Sequence, residues 1–393
     1  MKNFKLPGWA AALKDPEAFK REQDRLGHVW TLLGLTTQVP NDGDWFRATL
    51  GGRSVFVQRF GDELRGFENV CVHRFYPLRT KDKGNGVIRC GFHHWLYNKD
   101  GLAVGIPKCK ELFGVTPREL GATLRKIDVA TCGNLIFGRF RSDEAKEPLE
   151  DYLGVGFPIL RAMTSVDKAP YHLSTEIAAN WKLCFHISLD DYHLVAVHSD
   201  TFGKHGYLDA DVVRYYRFGS HSAYFYGEDA DALVRMNTEC AAGKYIPHDY
   251  RIMQFFPNLV VVHTEAAKNF YIVIQQYVPV AWDKTLLRTW YFPSPLPYPA
   301  NKGWWHDLQR RVAAPFLPFF VKLYTRKITG EDNAVVERIQ SNANYINGWP
   351  MLGAQEERIT WFEETYNKAL GAPPLAVEVE YPVAVPTVVN QTP

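Results

Sequence analysis

Residues 71–95 read CVHRFYPLRTKDKGNGVIRCGFHHW: Cys-x-His, sixteen residues, then Cys-x-x-His. Each half offers one thiolate and one imidazole. A [2Fe-2S] cluster with two sulfur-ligated and two nitrogen-ligated positions requires that mixture, because neutral histidines replacing two thiolates on one iron raise the reduction potential. Cys71 and Cys90 would hold one iron, and His73 and His93 the other. With 13 histidines in 393 residues, the chance that both cysteines find one at these offsets is on the order of one in a thousand. A structural zinc site could use the same four residues, but zinc knuckles pair Cys with Cys and His with His at short spacing, and here the types alternate. Cys109, Cys132, Cys184 and Cys240 lack such company and read as buried small hydrophobes.

From about residue 30 to 140 the chain breaks into short β-type runs, at 45–50, 54–60, 63–70, 86–90 and 134–140, punctuated by Gly, Asp and Asn. This predicts a small all-β domain over 30–145, closed where the chain turns charged around 144–152. Residues 180–200 have helical composition. Long β-type runs follow at 212–226, 250–264, 269–280 and 284–292, which predict an extended antiparallel sheet. A helical block over 304–370, interrupted near Gly330, precedes a Pro/Val-rich tail, 371–393, expected as an extended or loosely docked arm. No dinucleotide fingerprint is present, since GNGVIRCG lacks a strand-turn-helix context.

Composition narrows the function classes. The 45 basic and 43 acidic residues leave a net charge of +2, so binding to nucleic acid or to a membrane surface is not expected. No apolar run reaches the roughly 18 residues a membrane span needs, and residues 1–14 lack a signal-peptide pattern. A cytoplasmic location follows as the expectation, with the six cysteines free or metal-bound.

Residues 180–200, NWKLCFHISLDDYHLVAVHSD, carry His193 and His198 five apart. Two neutral imidazoles and one carboxylate on a single face of a ferrous ion leave its other positions open to dioxygen. On an ideal helix, at about 100° per residue, side chains five apart diverge by roughly 140°. Joint ligation therefore predicts a wide turn, a π-bulge or a helix end within 193–198. Alone, two histidines five apart are more often ordinary surface or core residues.

Together, the Cys/His motif, Asn-Trp-Lys at 180–182 and Asp-Asp-Tyr-His-x4-His at 190–198 resemble the large subunit of the Rieske non-heme iron oxygenases, also called ring-hydroxylating oxygenases. The resemblance runs from about residue 25 to 345. It implies an α+β chain: an N-terminal all-β Rieske [2Fe-2S] domain, and a helix-grip-like catalytic domain of antiparallel sheet and helices built from 1–29 and 146–370. It also implies one [2Fe-2S] cluster and one Fe(II) per chain. The family's carboxylate ligand comes late, from a segment that GEDNAVVERIQ resembles, which makes Asp332 the companion of His193 and His198. Glu331 is its competitor, and a helix-cap role is the alternative for Asp332. Asp190 matches the family's bridging aspartate, which hydrogen-bonds a cluster histidine of a neighbouring subunit, here His93, as well as His193. Asp191 sits one residue off that register. Two departures stand out: Phe75 and His94 occupy common glycine positions, and His186 and Ile187 stand where the family often has a Glu-Asn pair. His186 either shares Asp190's network or is a packed helix histidine.

The resemblance implies a terminal oxygenase that hydroxylates a small organic, aromatic substrate with O2. Electrons would come from a ferredoxin and/or an NAD(P)H-dependent reductase, and the relay between subunits implies a homotrimer, with or without small β subunits. Leu194, Val195, Val197, Phe202 and the FPNLVVV run are candidates for an apolar substrate cavity. Three readings compete with hydroxylation: monooxygenation or oxidative demethylation within the same family, a Rieske electron carrier without oxygenase activity, and a zinc-stabilised binding module.

Overall fold

Along Asp44–Leu50 the side chains of Phe46, Ala48 and Leu50 are buried while Arg47 and Thr49 face solvent, the period-two alternation of a half-buried strand. This strand belongs to a computed structural model that describes residues 2–6, 8–142, 147–167, 169–201, 213–247, 250–266, 268–299, 303–380 and 388–391. The chain divides into two units, Gln23–Leu149, and Met1–Glu22 with Glu150–Pro393.

In the first unit seven strands form one antiparallel sheet in the order Thr31–Leu35, Leu135–Phe140, Lys126–Cys132, Glu63–Glu68, Arg53–Phe60, Asp44–Leu50, Lys83–Asn85. Phe46, Val55, Val57 and Ile136 fill its core. A second cluster gathers Phe67, Trp95 and Tyr97 around Cys71 and Cys90, beside a small sheet of Ile88–Arg89, Leu96–Tyr97 and Ala103–Gly105. Two helical turns, Cys109–Phe113 and Pro117–Leu120, interrupt the all-β pattern. The second follows from Thr116-Pro-Arg-Glu: Thr116 accepts from the Glu119 N–H, Glu119 accepts from the Thr116 N–H, and Pro117 opens the helix.

The second unit is built on eight strands in the order Tyr171–Ile177, Lys284–Pro293, Asn269–Ala281, Leu259–Ala266, Arg251–Phe255, His221–Tyr226, Val213–Phe218, Val388–Gln391. The helix Leu317–Ser341 lays Leu317 and Val321 on Tyr271, Val273 and Tyr291 of that sheet. It does not break at Gly330, contrary to expectation. A mid-helix glycine costs about 1 kcal/mol relative to alanine, and the buried row of Val321, Thr325, Thr329 and Val336 outweighs it. Of the tail's described residues, two stretches are extended, as expected, and paired: Val377–Glu380 with Lys2–Phe4, and Val388–Gln391 in parallel with Val213–Phe218 at the edge of the large sheet. Among the described residues no helix is long and apolar enough to cross a membrane.

Candidate functional site

The two Cys/His loops are closed alike. The Cys71 N–H donates to the Tyr76 carbonyl (2.9 Å) and the Phe75 N–H to the Cys71 carbonyl (2.9 Å). The Cys90 N–H donates to Trp95 (2.9 Å) and the His94 N–H to Cys90 (3.0 Å). Phe75 and His94 have φ of 59° and 60°, the left-handed region a glycine enters freely and other residues enter at a cost of about 1–2 kcal/mol. The two departures from glycine thus leave the loop conformation intact.

The loops bring their ligand candidates together. The His73 and His93 rings lie 4.6 Å apart, and Cys71 and Cys90 are free and buried. Burial, together with neighbouring Cys90, pushes the Cys71 thiol up, while the Tyr97 hydroxyl, 3.0 Å from its Sγ, works in the opposite direction. The Phe92 N–H donates to Cys90 Sγ at 3.4 Å. His73 stacks flat on Trp95, and its Nδ1 is buried without a hydrogen-bond partner. Burial and the nearby His93 and Arg74 depress the His73 imidazole, favouring the neutral, ligating form. Two neighbouring thiols and two neighbouring imidazoles on the same pair of loops, one imidazole carrying an orphaned nitrogen, are the residue set a mixed-ligand [2Fe-2S] cluster takes.

His193 and His198 stand at the two ends of a single helical turn, Leu194–Val197, and His198 leaves helical geometry at φ −107°. This helix end brings the rings to 5.2 Å. Asp190 starts the turn, its Oδ1 accepting from the N–H groups of Tyr192 (2.7 Å) and His193 (3.3 Å). Asp332 reaches in from the middle of Leu317–Ser341, so it caps no helix. Its Oδ1 lies 2.9 Å from His198 Nε2 and 3.6 Å from His193 Nε2, and one donor atom from each of the three lies within 4.8 Å of the others.

Behind each ring stands another carboxylate. His193 Nδ1 is 3.3 Å from Asp190, and His198 Nδ1 is 2.7 Å from Glu331, which also accepts from Thr201 (3.2 Å). Both Nε2 atoms are therefore left to face Asp332, whose Oδ1 is buried without a well-formed hydrogen bond. Burial depresses His193, but Asp190 and Asp332 override it and hold the imidazole at about 9. His198 is raised the same way, while Asp332 is held below the usual carboxylate range by the two histidines despite its burial. Two oriented imidazoles and a carboxylate at this spacing fit one divalent metal ion.

Asp191 is engaged elsewhere. Arg358, fully buried, donates to both its carboxylate oxygens at 2.9 Å and to Gln254 at 3.0 Å, and Gln254 donates to the Ser188 carbonyl at 2.6 Å. Glu331, Gln254 and Arg358 carry no sequence signal beyond Glu331's place beside Asp332. His186 lies 3.1 Å from Glu363, which also takes Lys182, and stacks on Trp9, so it is packed in a buried ion cluster and not joined to Asp190. A cavity of about 130 Å³ opens on the His193, His198 and Asp332 side chains and is lined by Leu194 and, from the expected strand, Val262. Val195 instead faces solvent at 61% exposure, Val197 is not in the lining, and Phe202 lies outside the described residues.

Residues 160–372 match the ring hydroxylating alpha subunit (catalytic domain) family, and residues 29–121 match the Rieske [2Fe-2S] domain. The chain belongs to the ring-hydroxylating alpha subunit family. It combines a Rieske [2Fe-2S] domain with a catalytic domain of the kind that binds mononuclear iron. One relative of this family is the large oxygenase component of salicylate 5-hydroxylase from Ralstonia sp, 32% identical over 51% of this chain and 50% of its own. The chain spans about half the length of the curated relatives it matches. The fold is shared with naphthalene 1,2-dioxygenase from Rhodococcus sp. (TM-score 0.69, 20% identity, covering 94% of this chain and 96% of that one). It is also shared with a quaternary ammonium Rieske monooxygenase described for carnitine oxidation and inter-subunit electron transfer (TM-score 0.66, 17% identity, 94% and 95%).

Proposed function

We propose that this chain is the terminal oxygenase of a multicomponent system, with His193, His198 and Asp332 as iron ligands and Cys71, His73, Cys90 and His93 as cluster ligands. The observation that carries the reading is the pair of imidazoles whose Nδ1 atoms each face a carboxylate while their Nε2 atoms converge on Asp332 beside a cavity. When bound, the cluster would supply single electrons and the ferrous ion would supply the activation of dioxygen. Glu331 holds the His198 ring in the tautomer that offers Nε2 and makes it a better donor, and Asp190, 3.3 Å from His193 Nδ1, is placed to do the same for His193. Asp190 also serves as the electron bridge to His93 of a neighbouring copy in a homotrimer, a reading supported by the inter-subunit transfer named for a structural relative. A ferredoxin and/or an NAD(P)H-dependent reductase supplies the electrons.

For the substrate we propose a small uncharged aromatic compound. Among the described residues lining the cavity there is neither lysine nor arginine, while Tyr224, Tyr250, Tyr271, Tyr277 and Tyr324 contribute rings and hydroxyls. Burial keeps the Tyr224, Tyr250 and Tyr277 hydroxyls protonated, so the wall offers neutral hydrogen bonds and ring faces. Val262, Val273 and Ile328 add the apolar surface that keeps water scarce.

Asp190→Asn tests the assignment: both metal sites should stay loaded while oxygen-dependent turnover falls by about 10- to 100-fold. Unaltered turnover would remove Asp190 from the relay. A wild-type protein that holds only the cluster's iron and gives no oxygen-dependent product would be an electron carrier.

A further inference from the structure

Trp304, Trp305, Leu308 and Val312 are all exposed on the helix Trp304–Ala313, at 76%, 57%, 44% and 63%. At about 100° per residue they fall within an arc of roughly 100°. Phe316, Phe319, Phe320 and Leu323 continue the exposure into the next helix, where Phe319, Phe320 and Leu323 again span roughly 100°. That arc lies roughly opposite the side carrying Val321, Thr325 and Ile328, which face the sheet and the cavity. Isolated exposed apolar residues are ordinary. A continuous aromatic face along two successive helices marks a surface with an occupant.

The charge of the same segment selects the occupant. Arg310, Arg311, Lys322, Arg326 and Lys327 face a lone acidic residue, Asp307, between residues 304 and 327. Asp307 is taken by Arg310 at 3.7 Å, and among the described residues Arg311, Lys322 and Arg326 have no carboxylate partner. By the same helical spacing, Arg311 and Arg326 sit about 20° from the edges of the two apolar arcs. The whole-chain charge of +2 hides this local excess. A second copy apposing the same face would bring like charges together, whereas a plane of anionic headgroups would neutralise them while the rings enter the acyl boundary.

We infer that the outer face of Trp304–Ala313 and Leu317–Ser341 docks on an anionic lipid surface. The inner side of the second helix carries Tyr324, Thr325, Thr329 and Asp332 to the cavity, so the docked face lies one helix diameter, roughly 10 Å, from the substrate site. If the oxygenase reading holds, a ring compound dissolved in the bilayer is met beside its point of entry. The docking itself does not depend on that reading.

The test is co-sedimentation of the full-length, metal-loaded protein with vesicles of equal parts phosphatidylcholine and phosphatidylglycerol, and with pure phosphatidylcholine. Binding should be confined to the anionic vesicles and weaken at least about tenfold in ~0.5 M salt, with a blue shift of tryptophan emission. Phe319→Ser with Phe320→Ser should lose about tenfold or more, with an unchanged far-ultraviolet circular dichroism spectrum and a retained cooperative thermal transition of the second unit as the check on folding. Should that variant fail to fold, Arg311→Glu with Arg326→Glu should show the same loss. No binding of wild type at low salt, equal binding by a folded variant, or a fall of the serine variant to a smaller oligomer, which would mean a second copy covers the face, would each overturn the inference.

Discussion

Arg358→Leu should be among the most damaging single changes in the second unit, although Arg358 touches no candidate metal ligand. Its side chain is fully buried and holds Asp191, only 13% exposed, through two 2.9 Å bonds. Burial already pushes the Asp191 carboxyl up, and Arg358 is the main opposing charge. Removing one member of a buried pair costs about 3–5 kcal/mol, because the other charge is left without compensation. For a unit of this size, at about 2–4 °C per kcal/mol, the midpoint should fall by roughly 6–20 °C in calorimetry of the metal-loaded protein. The sign with pH is fixed: without Arg358 the folded-state pKa of Asp191 rises further above its unfolded value, so the deficit relative to wild type grows as pH increases above the wild-type folded value, which burial already holds above the ordinary value near 3.9. The double variant Arg358→Leu with Asp191→Asn removes both charges and should recover most of the loss. A single variant within about 1 kcal/mol of wild type, or a double variant no more stable than the single, would refute the buried-pair account.

Tyr97→Phe removes the hydroxyl beside Cys71 Sγ and should lower the cluster midpoint by on the order of 50 mV in voltammetry, because the more negative reduced form loses a donor; an unchanged midpoint counts against the bond. In metal-free protein the His193 proton, and below its own raised value the His198 proton, must leave before the Nε2 atoms can bind, so Co(II) affinity should rise at least about tenfold per pH unit up to about 9 and then level, and a flat profile would contradict the carboxylate contacts. In that metal-free form His193 contributes stability that is complete below its unfolded value near 6.5 and lost as pH rises through about 9, readable in urea titrations at the two ends. Gly330→Ala, with open space beside the glycine and ordinary helical backbone, should stabilise by about 0.5–1 kcal/mol, and a loss would show that the glycine has a packing role.

The candidate cluster ligands stand out in sequence because each pair is local: Cys71 with His73, and Cys90 with His93, lie within a few residues on one loop. The same holds for His193 and His198, whose five-residue spacing called for a wide turn, a π-bulge or a helix end between them; a helix end is what is found. Asp332 lies on a different helix and was reachable only through the family resemblance, and its neighbour Glu331, taken as a rival, faces the back of His198 instead. Arg358 could not be found at all, since a buried pair between residues 167 apart leaves no periodicity in either segment. Gly330 misled for the converse reason, as local propensity argued for a break and long-range packing overruled it. The apolar stripe at 304–323 reads in sequence like any core-facing helix, and only its burial shows which way it faces.

The matched loops at Cys71–Tyr76 and Cys90–Trp95 have a consequence for how the cluster is acquired. Each loop closes on itself through two backbone hydrogen bonds, so each presents its thiol and imidazole without help from the other. Together they form a bivalent receptor. An iron-sulfur unit captured by one loop meets the second at high effective concentration, so the second engagement is intramolecular. Loss of a single ligand weakens one of the two grips and with it the gain from intramolecular engagement by the other.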